Sequence, residues 1–356
     1  MNNNYAVIMA GGVGPRFWPV SREDLPKQFL DILGTGKTLI QQTFNRLKRV
    51  CPVENILIVT NRKYKNLCLE QLPNIAEGNI LCEPVMRNTA SCVAYAAFKI
   101  QSVNNDANMI VAASDHIIIE EDKFVKVLNN CFDVVSCNDL LLTIGISPSR
   151  PDTGYGYIQF TSKKLHSNQN VKKVKTFTEK PDQELALNFL DSGDFLWNSG
   201  MFVWSVKSII LAYRKHLRDM HDIFEAGKEF YNTDQEQEFI DRVFPGCKNI
   251  SIDYAILEKS ENVYVYPSNF GWSDLGTWGS LYDHLTLDKY KNAIQGGKTF
   301  LYNSKDNIIK VPSNKTVVLQ GMNGYIVVED KGILLICKKE NEQQIKQFAF
   351  DVSNQK

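Results

Sequence analysis

Two carboxylates in this chain follow apolar runs at positions that suit a phosphate-bound divalent cation. Asp115 comes just after the run Met109–Ala113, in Ser114-Asp115-His116. Asp274 comes after Val263–Pro267, within Phe270-Gly271-Trp272-Ser273-Asp274-Leu275-Gly276-Thr277-Trp278. Magnesium takes one or two carboxylates and completes its shell with phosphate oxygens, so the pair is a candidate Mg2+ site. Taken singly, Asp115 reads first as a turn aspartate capping the next helix, and the second acid is what turns the reading toward a metal. Two cations, Arg16 and Lys27, follow the glycine turn Gly11-Gly12-Val13-Gly14, which itself closes the apolar run Tyr5–Ala10. Glycines let backbone amides approach oxygens, and nearby cations offset charge that moves during reaction. Together these residues have the chemistry of a polyphosphate site.

The glycine loop belongs to neither common phosphate-binding class. In the dinucleotide pattern G-x-G-x-x-G, Phe17 stands where the third glycine belongs. A Walker loop ending at Gly36-Lys37-Thr38 would need a glycine at position 31, which is Asp31, so that stretch reads as a polar turn before a helix.

Four further stretches carry groups suited to a sugar nucleotide, each with a plainer reading beside it. Glu83-Pro84-Val85-Met86-Arg87-Asn88-Thr89-Ala90 precedes a helix, and Asn88 reads as its cap. A helix start also offers free amides to a ligand. Pro151–Tyr157 could be a hairpin loop, Glu179-Lys180-Pro181 an exposed strand end, and Trp197–Phe202 core. Jointly they supply what a hexose phosphate needs. Gly154 allows close approach, Glu179 and Asn198 can bind hydroxyls, and Lys180 can hold the phosphate.

The elements that must position these groups alternate. Apolar runs at 5–10, 55–60, 79–82, 108–113 and 140–146 read as buried strands, and 38–50, 64–72, 88–100 and 122–136 as helices between them. Such alternation predicts an α/β domain, Rossmann-like, whose mixed, mostly parallel sheet is covered by helices. Ligands in these sheets collect beyond the carboxyl ends of the strands, where Gly11–Gly14 and Asp115 lie. Shorter strands with polar interleaving are expected at 154–160 and 171–177, and a helix at 182–192. Residues 196–204 mix aromatics with Asn198-Ser199-Gly200 and receive no element. From about 287 the pattern changes to short β runs (308–311, 316–319, 325–328, 333–337) split by Asn, Gly and Asp turns, then a closing helix at 340–350. The expected division is a catalytic domain over 1–286 and a small β domain over 287–356.

Composition narrows the function class. Forty basic and forty acidic side chains cancel, which gives no electrostatic case for nucleic acid or an anionic membrane. No apolar stretch approaches the roughly 18 residues of a membrane span, and Met1-Asn2-Asn3-Asn4 is not the start of a secretory signal. The eight cysteines form no C-x-x-C pair and sit mostly among apolar residues, as reduced buried thiols of a cytoplasmic protein do. His216 and His221 are five apart, the wrong spacing for two ligands on one helical face.

These motifs, in this order, resemble the sugar-1-phosphate nucleotidylyltransferases. Phe-Trp-Pro-Val-Ser-Arg at 17–22, Pro26-Lys27-Gln28-Phe29 and Ser251–Lys259 are similar to the mannose-1-phosphate guanylyltransferase branch. The resemblance spans residues 5–278. It implies transfer of GMP from GTP to α-D-mannose 1-phosphate, with Mg2+ on Asp115 and Asp274 and catalytic roles for Arg16, Lys27 and Lys180. The nucleotide would meet Gly11, Gly12, Gly14, Arg16, Lys27, Glu83, Asn88 and Thr89. The sugar phosphate would meet Gly154, Glu179, Lys180 and Asn198. The resemblance further implies that the C-terminal β unit is a short left-handed β-helix, that the protein is a homodimer, and that this is the short form without an isomerase domain. One departure stands out: Pro15 replaces the family's Ser or Thr and removes both an N–H and a hydroxyl. Two other readings stay open, an enzyme for another hexose 1-phosphate or nucleotide, and a non-catalytic nucleotide-sugar-binding relative.

Overall fold

Ala6, Val7 and Ile8 are fully buried, so this strand is covered on both faces, which is why its sequence is apolar without alternation. In a computed structural model that describes residues 3–354 except Ser167, it is β1 (Asn4–Met9) of a nine-stranded sheet. The others are β2 (Ile56–Asn61), β3 (Ile80–Glu83), β4 (Asn108–Ala113), β5 (Leu141–Ile146), β6 (Tyr157–Leu165), β7 (Asn168–Thr178), β8 (Phe195–Ser205) and β9 (Val263–Ser268). The order is β3-β2-β1-β4-β8-β5-β9-β7-β6, with β6 also pairing β8. Strands β1–β4 are parallel, β1 and β4 in register from Asn4↔Asn108 to Met9↔Ala113. β5 and β9 are parallel to each other, and β8 runs antiparallel between β4 and β5.

The helix α1 (Asn88–Val103) lies on one face of this sheet. Its fully buried Ala90, Ala94, Ala96 and Ala97 share a core with Val7, Leu57, Met109 and Val111. Small side chains bring the helix close to the sheet and its amino end to the carboxyl ends of the strands. α2 (Glu121–Cys137) follows β4, burying Phe124, Leu128 and Cys131. All eight cysteines are free, and only Cys137 is exposed.

β8 is the strand to which the sequence assigned no element. Asn198-Ser199-Gly200 interrupts its apolar run, and its register against β5 shifts between Thr143 and Gly145. Gly200 sits at φ +66°, so the strand bends where its aromatic run is interrupted.

The chain forms two compact units. The nine-stranded sheet belongs to the first, made of residues 1–11, 43–114 and 118–272. The second gathers 12–42, 115–117 and 273–356. It contains β10 (Ala293–Tyr302), β11 (Ile308–Gln320), β12 (Tyr325–Asp330) and β13 (Ile333–Lys338). β10 pairs β11 and β11 pairs β12 in parallel, so the chain returns beside itself coil upon coil, in β-helical fashion. β13 then closes the unit as an antiparallel hairpin. Buried asparagines fix the corners: Asn307 donates its Nδ2 to Asn292 Oδ1 at 2.9 Å and accepts at Oδ1 from the Tyr325 amide at 2.9 Å. Unpaired, these amides would each cost roughly 1–3 kcal/mol; paired, they lock the turns. The closing helix has two parts, a 3-10 turn over Lys339–Gln344 and α3 (Ile345–Asn354).

Candidate active site

In the second unit, Gly14, Pro15, Arg16, Phe17, Lys27, Asp115, His116, Asp274, Leu275 and Gly276 line one cavity of about 210 Å³. The structure brings Gly14, Arg16, Lys27, Asp115 and Asp274, all candidates from the sequence, to the wall of this one cavity. Gly14 is required twice over. Its φ is +66°, and a Cβ there would stand 2.7 Å from Lys27 Cβ. A 3-10 turn, Pro15–Phe17, follows directly, and Pro15 takes its first position, where a missing N–H costs the fold nothing. Gly11, in the first unit, and Gly12, in the second, differ from Gly14. Neither has a positive φ, and a Cβ on either would meet nothing within 4 Å. The fold makes no demand for glycine at these two positions.

Lys27 is the hub of the cavity and is only 4% exposed. Its ammonium lies 2.8 Å from Asp115 Oδ2 and donates to the carbonyls of Asp274 and Leu275, each at 2.9 Å. An ammonium has three hydrogens, and these partners use all of them. A phosphate contact from Lys27 therefore requires an exchange of partner. Burial alone would push the Asp115 carboxyl up, but the Lys27 ammonium and His116 outweigh it and hold its pKa below the usual carboxylate value. Asp274 Oδ1 accepts from the Gly276 amide at 2.9 Å. Each acid thus shows one oxygen engaged by the protein in a strong contact. Among the described residues no three His, Cys, Asp or Glu side chains converge as a metal cage. Two carboxylates with a second oxygen each suit a cation that completes its shell with phosphate oxygens, as Mg2+ does, and do not suit an all-protein site.

Arg16 is half-buried at the rim, with its Nε donating to Gln343 Oε1 at 2.9 Å.

The first unit holds the remaining candidates. Glu83 ends β3, is 6% exposed, and its Oε1 has no hydrogen-bond partner. Burial pushes its pKa up to about 7. Asn88, at φ +64°, is the first residue of α1, and its Oδ1 accepts from the Thr89 amide at 2.8 Å. The Thr89 hydroxyl accepts from the Ile252 amide at 2.9 Å. Glu179 and Lys180 are exposed, with their charges 3.6 Å apart. Asn198 donates its Nδ2 to Asp253 Oδ1 at 2.9 Å and accepts from the Gly200 amide at 3.1 Å. Gly154 gives its amide to Asp152 Oδ1 at 2.8 Å. The glycine that borders Asn198 and Glu179 is Gly156, whose Cβ position lies 3.7 Å from Asn198 Cβ and 3.9 Å from Glu179 Oε2.

Three residues at these sites had no part in the sequence assignment. His116 lines the cavity beside Asp115. Gln343 holds Arg16 across 327 residues of chain, a contact that no local pattern encodes. Asp253 anchors Asn198; burial raises its pKa despite that bond. The signal for Asp253 was its place in Ser251–Lys259, one of the stretches carrying the resemblance.

Residues 5–291 match the nucleotidyl transferase family. A mannose-1-phosphate guanylyltransferase of Salmonella muenchen is 37% identical over 355 residues, covering 98% of this chain and 73% of the relative. The chain belongs to this family. The alginate biosynthesis protein AlgA of Pseudomonas aeruginosa is 35% identical over 352 residues, 98% of this chain and 72% of that protein. A solved structure from Thermus thermophilus, named as a mannose-1-phosphate geranyltransferase, superposes with a TM-score of 0.87 at 27% identity and covers 99% of both chains. The chain is a nucleotidyltransferase, and its mixed sheet with a separate C-terminal β unit is the nucleotide-diphospho-sugar transferase fold. No helix among the described residues is long and apolar enough to cross a membrane.

Proposed function

We propose that this protein catalyses the transfer of GMP from GTP to α-D-mannose 1-phosphate, releasing pyrophosphate and forming GDP-mannose. The observation that carries the reading is the cavity in which Arg16, Lys27, Asp115 and Asp274 meet Gly14, in a chain similar along nearly its whole length to mannose-1-phosphate guanylyltransferases.

A phosphate oxygen of mannose 1-phosphate attacks the α-phosphorus of GTP. The bond from that phosphorus to the bridging oxygen breaks, and its electron pair leaves with pyrophosphate. The nucleophile is already an anion, so no general base is needed, and catalysis consists of positioning and charge neutralisation. Magnesium would be held by Asp115 and Asp274 and would supply charge neutralisation to the phosphates. Arg16 stabilises the leaving pyrophosphate, joined by Lys27 when it exchanges one of its present partners. Amides of Gly11, Gly12 and Gly14, with the start of α1 at Asn88 and Thr89, receive the nucleotide. A Cβ at Gly11 or Gly12 would meet nothing within 4 Å, so their backbone is open to approach by a phosphate. Glu83 faces guanine: its unpartnered Oε1 would gain the donors it lacks, and adenine offers no such pair of N–H groups. Glu179 and Asn198 bind mannose hydroxyls beside Gly156, with Gly154 in the loop just before it, and Lys180 holds the sugar phosphate. The buried, reduced cysteines support a cytoplasmic location, and the assembly proposed is a homodimer.

Paired assays test the specificity. GDP-mannose should form from GTP and mannose 1-phosphate faster than the corresponding products form from dTTP or from glucose 1-phosphate. A preference for either competitor would assign the enzyme to a different sugar nucleotide.

A further inference from the structure

Among the described residues, Arg16 makes one side-chain hydrogen bond, from Nε to Gln343 Oε1 at 2.9 Å. A guanidinium has five N–H groups, and this bond uses only the inner one. The four terminal N–H groups form the edge that grips a phosphate in bidentate fashion. An acceptor on Nε fixes the plane of the group and leaves that edge free, directed away from the bond.

The segment carrying Gln343 is itself anchored. Its neighbour Glu342 accepts from the Gly279 amide at 2.7 Å, at the start of the short helix that follows Asp274-Leu275-Gly276-Thr277. Ile345 is fully buried in a cluster with Phe17, Trp278 and Leu281. The turn at Lys339–Gln344 is therefore tied both to the loop that bears Arg16 and to the stretch that bears Asp274. Arg16 is only half-buried and Gln343 is exposed, so water offers the guanidinium alternative positions unless the acceptor holds it.

We propose that Gln343 is a positioning residue that orients Arg16, so that the C-terminal turn sets the geometry of the cation on which nucleotidyl transfer depends. The inference rests on the reading of Arg16 as the cation on the leaving pyrophosphate. Gln343 acts only through Arg16, so the two residues form one functional unit.

The test is a double-mutant cycle on the full chain, with Gln343→Leu, Arg16→Ala and the double variant. Gln343→Leu keeps the volume and removes the acceptor. Its kcat should fall roughly 3- to 10-fold, with KM for mannose 1-phosphate and the melting temperature unchanged, because a misdirected group loses transition-state contact without unfolding anything. In the Arg16→Ala background the same substitution should cost nothing further. Loss of kcat in Arg16→Ala with a wild-type kcat in Gln343→Leu would overturn the positioning role alone. An additive penalty in the double variant would overturn it as well. A wild-type rate in Arg16→Ala would instead remove Arg16 from the mechanism, and the positioning role with it.

Discussion

Replacing Lys27 with methionine separates two roles that sequence alone merges. As a cation that only meets the substrate, Lys27 would be dispensable for folding. As the hub seen here, it holds Asp115 at 2.8 Å and the Asp274 and Leu275 carbonyls at 2.9 Å each. Lys27→Met keeps the aliphatic stem and removes all three donors. Breaking a buried ion pair from one side costs about 3–5 kcal/mol, chiefly because the partner charge is left uncompensated. Asp115 is 28% exposed on its side chain, so water recovers part of that. The two carbonyls add to the loss, as does the ammonium 5.7 Å from the centre of the Phe17 ring, a contact of about 2 kcal/mol where both groups are desolvated. The expected net destabilisation is about 2–4 kcal/mol. It should appear as a lower urea midpoint, followed by intrinsic fluorescence without ligands. Activity should fall as well, since Asp115 and the turn at Asp274 lose their common anchor. A midpoint equal to that of the wild type, with activity lost, would refute the hub and leave Lys27 as a substrate contact only.

The glycines give a contrasting pair. Gly14→Ala forces a left-handed residue and a 2.7 Å contact onto Lys27, so it should lower stability by about 2–4 kcal/mol, read from the same denaturation curve. Gly11→Ala meets no atom, so it should leave the curve in place and weaken GTP binding measured by calorimetry; equal binding would remove that amide from the nucleotide site. Glu83 has a folded pKa near 7, above its ordinary 4.5. Its contribution to stability is full below about 4.5 and is lost as pH rises through about 7, a change of roughly 2–4 kcal/mol. Denaturation midpoints of Glu83→Gln should lack that decline, and the variant should lose preference for GTP over ATP; a pH profile like that of the wild type would show that Glu83 is not the buried acid responsible. Pro15→Thr restores an N–H and a hydroxyl where the first position of the 3-10 turn needs neither for folding, so it should lower KM for GTP at unchanged stability. An unchanged KM would show that neighbouring amides already suffice.

Much of this architecture was legible because burial on both faces of a parallel sheet forces continuous apolar runs. Asn108–Ala113 was read with its observed boundaries for that reason. The loop chemistry was legible because Gly14, Arg16, Lys27, Asp115 and Asp274 are residue types with few structural substitutes at such turns. β8 was not legible. It enters antiparallel between two parallel groups, and Asn198-Ser199-Gly200 interrupts its apolar run where the register shifts. Also hidden was the state of Lys27, because its saturation depends on two carbonyls almost 250 residues away along the chain. The Arg16–Gln343 and Asn198–Asp253 contacts belong to the same class. Tertiary folding makes them, and nothing in the local pattern of either partner announces them.

Nucleotidyl transfer is tested most directly by pyrophosphate release from the wild-type protein with GTP, mannose 1-phosphate and Mg2+, each omitted in turn. Release is expected only when all three are present, with GDP-mannose formed in equal amount. Release without mannose 1-phosphate, or undiminished release after Mg2+ is chelated, would contradict it.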